Sequence, residues 1–331
     1  MYGAAAGALL IVFLIKRLNW QLISTLFLSG LILIDLFSMR ISDPTTLVII
    51  RFIHGFIGGM LVGTGFSLIA RTSQPDRTFG VLLFVQFGFG GLGIMFIPGM
   101  VPEFGTQVLF YSLVMFSVAT FLMLPFLPAY AVKAQKVAED SVPETRIQMF
   151  PLLLALATIF LFQAANMGLF AFIIGLGEHY ALEMDFISTT LGVANWLVLA
   201  GAGLVIAIGS RLGYLKPVLA GIGVTAVSIW VLLYSNVPLI WIGSKCKIGI
   251  SWGFTMSYLL GLASRFDATG QMAAMGGFAS KMGLASGPVV TAMLLGEDNY
   301  VAIIIAATVV MVISAVTVWV PARLQDRNAK D

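Results

Sequence analysis

The sequence predicts an all-α integral membrane protein, a polytopic bundle of helices, and three observations predict it. Mean hydropathy is +1.00. Hydrophobic residues make up 59% of the 331 and charged residues only 10%, against about a quarter charged in a soluble domain. The charges gather in short clusters between long apolar runs, the pattern of spans joined by loops. A soluble fold has too little interior to hide so much apolar surface, so lipid must cover it.

Taken in order, the runs give eleven spans: 1–15, 20–38, 45–70, 78–101, 106–128, 149–176, 187–209, 217–236, 238–263, 270–295 and 300–321. The first is short. Fifteen residues at helical rise reach about 22 Å, less than the ~30 Å hydrocarbon core. It has neither a basic start nor a small-residue cleavage site before Lys16-Arg17, so a clipped span is expected rather than a signal peptide. The polar stretch from Val132 to Gln148 holds Lys133, Lys136, Glu139, Asp140, Glu144 and Arg146. It separates five spans from six. The expected organisation is a first bundle over 1–128, a cytoplasmic loop over 129–148, a second bundle over 149–322 and a tail over 323–331.

Orientation follows from the basic residues. With residue 1 outside, the inner loops carry Lys16, Arg17, Arg71, Arg77, Lys133, Lys136, Arg146, Arg211, Lys216, Arg265, Arg323, Arg327 and Lys330, and the outer loops only Arg40. Lys and Arg collect on the cytoplasmic side, so the carboxyl terminus is expected in the cytoplasm, and the membrane is expected to be a bacterial inner membrane.

Sliding the chain by 194 positions exposes a repeat. Arg17-Leu18-Asn19-Trp20 falls on Arg211-Leu212-Gly213-Tyr214, Pro44 on Pro238, Arg51 on Lys245, Gly55 on Gly249, Gly59 on Gly253 and Arg71 on Arg265. With one residue of slippage Gln86-Phe87-Gly88 falls on Lys281-Met282-Gly283. Parallel repeats are a known construction of transporters. At this offset span 149–176 has no counterpart, so the expected plan is twelve helices minus the first. Gly55, Gly59 and Gly63 recur every four residues and give a flat stripe for close helix approach.

These features resemble the major facilitator superfamily over essentially the whole chain. Arg51-x-x-x-Gly55-x-x-x-Gly59 resembles that family's fourth-helix motif. Gly209 to Lys216 resembles its loop signature between helices eight and nine, and Gly88, Gly90, Gly91, Gly93 and Pro98 resemble its fifth-helix glycine-proline motif. The first-half loop at Lys16 to Trp20 lacks the signature's aspartate and glycine. The resemblance implies a permease with two related halves, acting by alternating access on a small organic solute. It implies a proton as coupling ion, a gating role for Arg17, Arg211 and Gly213, and a chain that works as a monomer in the bilayer. An inactive fragment is the alternative, with a channel or an intramembrane enzyme further behind.

Ionisable groups within spans are expensive and mark function by default. Arg51 and His54 share a helix face at i, i+3 with Gly55 behind them. Either they meet substrate or they form a structural ion pair. Lys245 and Lys247 point about 200° apart, so Lys245 is expected inward and Lys247 outward. Lys281 lies near mid-membrane among glycines, with Gln86 as its near-equivalent. Gln163 and Asn166 share one face. The expected substrate-binding set is therefore Arg51, His54, Gln86, Gln163, Asn166, Lys245 and Lys281. Basic residues at matching positions favour an anionic solute. Asp35, near an outer helix end, is expected at the interface.

Other chemistry is thinly provided for. One cysteine, Cys246, allows no disulfide framework, and His54 and His179 lie too far apart for a HExxH metal motif. No cofactor, metal or soluble catalytic domain is expected. Glu178-His179, in an outer loop, is the lone acid–His pair, so an enzyme is not expected. The basic residues form no contiguous patch for nucleic acid.

Overall fold

The computed structural model describes residues 1–41, 43–127, 148–267 and 269–328. The expected central loop and the last residues of the tail lie outside them. Every regular element among the described residues is helical. Helix α1 covers Tyr2–Leu14, α2 Trp20–Ser38, α3 Pro44–Ala70, α4 Pro75–Phe104 and α5 Gln107–Met123. Then come α6 Met149–Ala171, α7 Ile173–His179, α8 Met184–Ile208, α9 Leu215–Val231, α10 Pro238–Ser264, α11 Gln271–Leu295 and α12 Tyr300–Asn328.

Local chemistry sets several starts. The Asn19 side chain accepts from the Gln21 and Leu22 amides at 3.0 and 3.4 Å and caps α2. Asp43 accepts from the Thr46 amide at 2.7 Å, and Pro44 opens α3 where its missing N–H costs nothing. The hydroxyl and amide of Thr46 hold the Asp43 carboxyl below its ordinary range.

Nine helices among the described residues are long and apolar enough to cross a membrane. Helix α1 is shorter. Helix α10 has the length, but Lys245, Lys247 and its serines dilute its hydropathy. The single span expected over 149–176 is two helices, because Phe172 leaves helical geometry at φ −114°, ψ 15°. Helix α4 extends several residues beyond both ends of the expected 78–101.

The described chain forms two compact units that do not follow its two halves. One holds Met1–Arg71, Leu92–Ile147 and Asp267–Phe278; the other holds Thr72–Gly91, Gln148–Phe266 and Ala279–Asp331. In the first, α1 lies along α3, and α2 packs on α3 and α5. Ile11, Ile15, Ile23 and Met60 are buried at its centre. In the second, α8 lies along α10, α12 packs on α6 and α9, and α9 packs on α10.

The 194-residue repeat reappears as geometry. In the first unit Gly7 lies against the Phe56 carbonyl and Gly59 against that of Ala4. In the second, Gly201 lies against the Ile250 carbonyl and Gly253 against that of Val198. Each residue of the second set is 194 positions beyond its partner in the first. A Cβ at any of the four glycines would collide with backbone, so α1–α3 and α8–α10 are one helix pair built twice.

Candidate functional site

Polar side chains gather in three places. The first is in the second unit, at the end of α10 that carries Arg265. Asp76, fully buried in the first turn of α4, lies 3.6 Å from the Arg265 guanidinium. Arg265 Nε donates to the Tyr214 hydroxyl at 2.9 Å. Burial, with Asp76 adding to it, pushes the Tyr214 phenol up to about 12. Burial opposes the charge on Arg265, but Tyr214 and Asp76 outweigh it and raise its pKa. Tyr258 donates to the Gly209 carbonyl at 2.6 Å. Asp326 accepts from the Tyr214 and Leu215 amides at 2.6 and 3.1 Å, capping α9.

Two glycines of the loop signature acquire reasons here. Gly213 has φ +72° with the Asp326 carboxylate where a Cβ would go, and Gly209 has φ +58° against Arg77. Arg211 is exposed in the 3-10 turn between them, and Arg17 is exposed after α1.

The first unit holds a counterpart. Arg71, the equivalent of Arg265, donates from Nε and Nη2 to the Thr269 carbonyl at 3.2 and 2.9 Å. Thr269 is 194 positions beyond Pro75, beside Asp76. Gln271 Nε2 donates to the Val12 carbonyl at 3.0 Å. Its counterpart Arg77 reaches the Ala207 carbonyl at 3.4 Å in the second unit. Gly270 lies against Ser67, and Gly261 lies against Asp76, again 194 positions apart.

The second place is within the spans of the second unit. Gln163 is almost wholly buried on α6. Its Nε2 donates to Ser280 Oγ at 2.9 Å, and its Oε1 accepts from Trp252 Nε1 at 2.9 Å. Phe87 stands edge-on to Trp252 with centroids 5.0 Å apart. Gly283 and Gly287 let α11 close onto the Phe160 and Ala164 carbonyls of α6. This frame fixes the turn of α11 that bears Lys281, which is half-buried and has no ionic or hydrogen-bond partner among the described residues. Asn166 donates to the Phe162 carbonyl at 2.9 Å. Gln86 is exposed on α4. Lys245 is buried at 5% exposure, its ammonium 5.9 Å from the Trp241 ring. Lys247 is exposed.

The third place is in the first unit and corrects one expectation. Asp35 is not interfacial: it is 1% exposed, and its Oδ1 accepts from Arg51 Nη1 at 2.9 Å. Its Oδ2 lies 3.2 Å from His54 Nε2. Arg51 also stacks over Phe110 at 4.8 Å. Arg51 and His54 thus meet a carboxylate in their own unit, while Gln163 bonds Ser280 in the other, with Lys281 next to Ser280 along α11. Sequence reasoning passed over Trp252, seven residues beyond Lys245 and so on its face, and over Ser280, which neighbours Lys281 in the chain but points elsewhere.

Helices long and apolar enough to cross a membrane, in a doubled plan with polar groups inside them, define a polytopic membrane protein. The chain belongs to the Major Facilitator Superfamily, whose sequence profile matches residues 1–282. Among solved structures it is similar to the human organic anion transporter MFSD10 (TETRAN), at 15% identity and a TM-score of 0.75, covering 96% of this chain and 80% of that one. It is also similar to the transporter FucP in its outward conformation, at 13% identity and a TM-score of 0.73, covering 98% and 88%. Among curated protein sequences none matches significantly.

Proposed function

We propose that this chain carries a small organic anion across the membrane by alternating access, with Lys281 as the group that meets the negative charge. The observation that carries the reading is the state of that ammonium. It is half-buried within α11 and unpaired among the described residues. It follows directly on Ser280, which the Gln163–Trp252 frame holds in place. A cation at membrane depth is costly unless a counter-charge arrives, and a substrate carboxylate supplies one. Arg51 has no such need, because Asp35 already neutralises it. Lys245 is covered by protein, which suits a structural role. The similar fold of an organic anion transporter agrees with an anionic cargo.

In this reading Arg71 and Arg265 mark the cytoplasmic ends, and their contacts with Thr269 and Asp76 break and re-form as the carrier cycles. A proton is the coupling ion, and the cluster of Arg51, Asp35 and His54 in the first unit is where its passage is tested. Reconstituted vesicles loaded with radiolabelled organic carboxylates test the substrate class: Lys281→Ala reduces flux at least tenfold, while Lys281→Arg keeps a measurable part. Undiminished flux through Lys281→Ala would remove the basis for an anionic cargo. An imposed pH gradient tests the coupling. It accelerates flux in the native chain and loses that effect in His54→Gln.

A further inference from the structure

The outward faces of α9 and α10 enclose a groove of about 570 Å³. It is lined by Ala220, Gly223, Val227 and Ser228 on α9 and by Ser244 and Lys247 on α10, among others. The two helices run antiparallel, with Thr225 Oγ1 2.8 Å from Ser251 Oγ. That register sets Lys247 level with residue 229. Five residues then separate it from Tyr234, which ends the 3-10 turn following α9, or about 8 Å along the axis. A lysine side chain spans most of that distance and can bring its ammonium to the membrane surface. From Val231 down to Leu219 the groove runs twelve residues, about 18 Å. That is roughly one leaflet of the ~30 Å hydrocarbon core.

The first half of the chain shows that this groove is not a necessary feature of the fold. At the 194-residue offset, Leu26, Leu33 and Phe37 stand where α9 has Ala220, Val227 and Val231, and Ser29 stands where it has Gly223. Ile34 and Ile50 stand where the second half has Ser228 and Ser244, and Ile53 where it has Lys247. Only Leu219 and Val224, in the deeper part, are larger than their counterparts. The second half has therefore lost bulk along a strip one leaflet long and gained a cation near its top. Among the described residues that cation has no ionic partner.

We propose that this groove is a binding site for an anionic phospholipid of the surrounding leaflet, with one acyl chain lying along α9 and the headgroup phosphate on Lys247. The occupant is a lipid rather than a soluble anion, because the groove below the cation is apolar and opens to the bilayer.

Native mass spectrometry of the full chain in detergent tests this, with phosphatidylglycerol and phosphatidylcholine of identical chains offered together. The native protein is expected to retain one phosphatidylglycerol about fivefold better than phosphatidylcholine, the preference one basic residue gives near an anionic headgroup. Lys247→Ile abolishes the preference, Lys247→Arg keeps it, and the pair Ala220→Leu with Ser228→Ile expels both lipids. Each bulky replacement is the residue that the first half carries at the same place, and circular dichroism checks that helix content is kept. Equal retention of the two lipids by the native protein overturns the proposal without recourse to any variant. So does a preference that survives Lys247→Ile, or full retention by the filled groove.

Discussion

Asp35 meets two side chains, the Arg51 guanidinium at 2.9 Å and the His54 imidazole at 3.2 Å, while itself 1% exposed. Removing one partner of such a pair leaves a carboxylate with reduced compensation inside the protein, and the loss is on the order of 3 kcal/mol. Arg51→Ala is therefore expected to lower thermal stability in detergent by that amount. Asp35→Leu combined with Arg51→Met should recover most of it, since no buried charge then remains. A double variant no more stable than Arg51→Ala would show that the pair contributes by shape rather than by charge. The sequence placed Arg51 and His54 on one helix face correctly. It did not reveal their partner, because a carboxylate 16 residues from Arg51 on another helix leaves no mark in local spacing. The lysines were more legible. Two residues apart on a helix cannot face the same way, and Lys245 is indeed buried while Lys247 is exposed.

At the scale of elements, the glycine stripes matter through what they touch. Gly7 and Gly201 each bring a helix onto a carbonyl of its neighbour, whereas Gly58 and Gly192 have nothing within 4 Å of an added Cβ. Gly7→Ala and Gly201→Ala must push helices apart, at about 1–3 kcal/mol each by analogy with overpacked cores. Gly58→Ala and Gly192→Ala should leave the melting temperature unchanged or slightly higher. Equal effects at all four positions would contradict the role of close approach. The starts of α2 and α3 were readable to within a residue, since polar residues bound the apolar runs there. The break at Phe172 was not. No proline marks it, and an apolar run bounded by polar residues fixes where a span begins and ends but not where its backbone bends.

For the whole molecule, the repeat found by sliding the sequence is the claim most fully matched by geometry. The same offset relates Gly7–Phe56 to Gly201–Ile250 and, to within one residue, the grip of Arg71 on Thr269 to that of Arg265 on Asp76. Periodicity could yield the helices, but only self-comparison yields their pairing. The sequence did not yield the exchange of segments, by which residues 72–91 join one compact unit and 267–278 the other. Contacts across such distances depend on the fold as a whole. If these paired grips serve transport, Arg71→Ala and Arg265→Ala should each lower maximal flux several-fold while leaving the substrate concentration at half-maximal flux nearly unchanged. A change confined to that concentration would instead place both residues in binding.

The central claim is that the chain is a carrier whose cargo charge is met by Lys281. Initial rates of radiolabelled organic carboxylate flux across reconstituted vesicles, taken over a range of concentrations, test it most directly. The account predicts a rate that saturates in the native protein and falls at least tenfold in Lys281→Ala. A rate that rises without limit, or that is the same in both proteins, would contradict it.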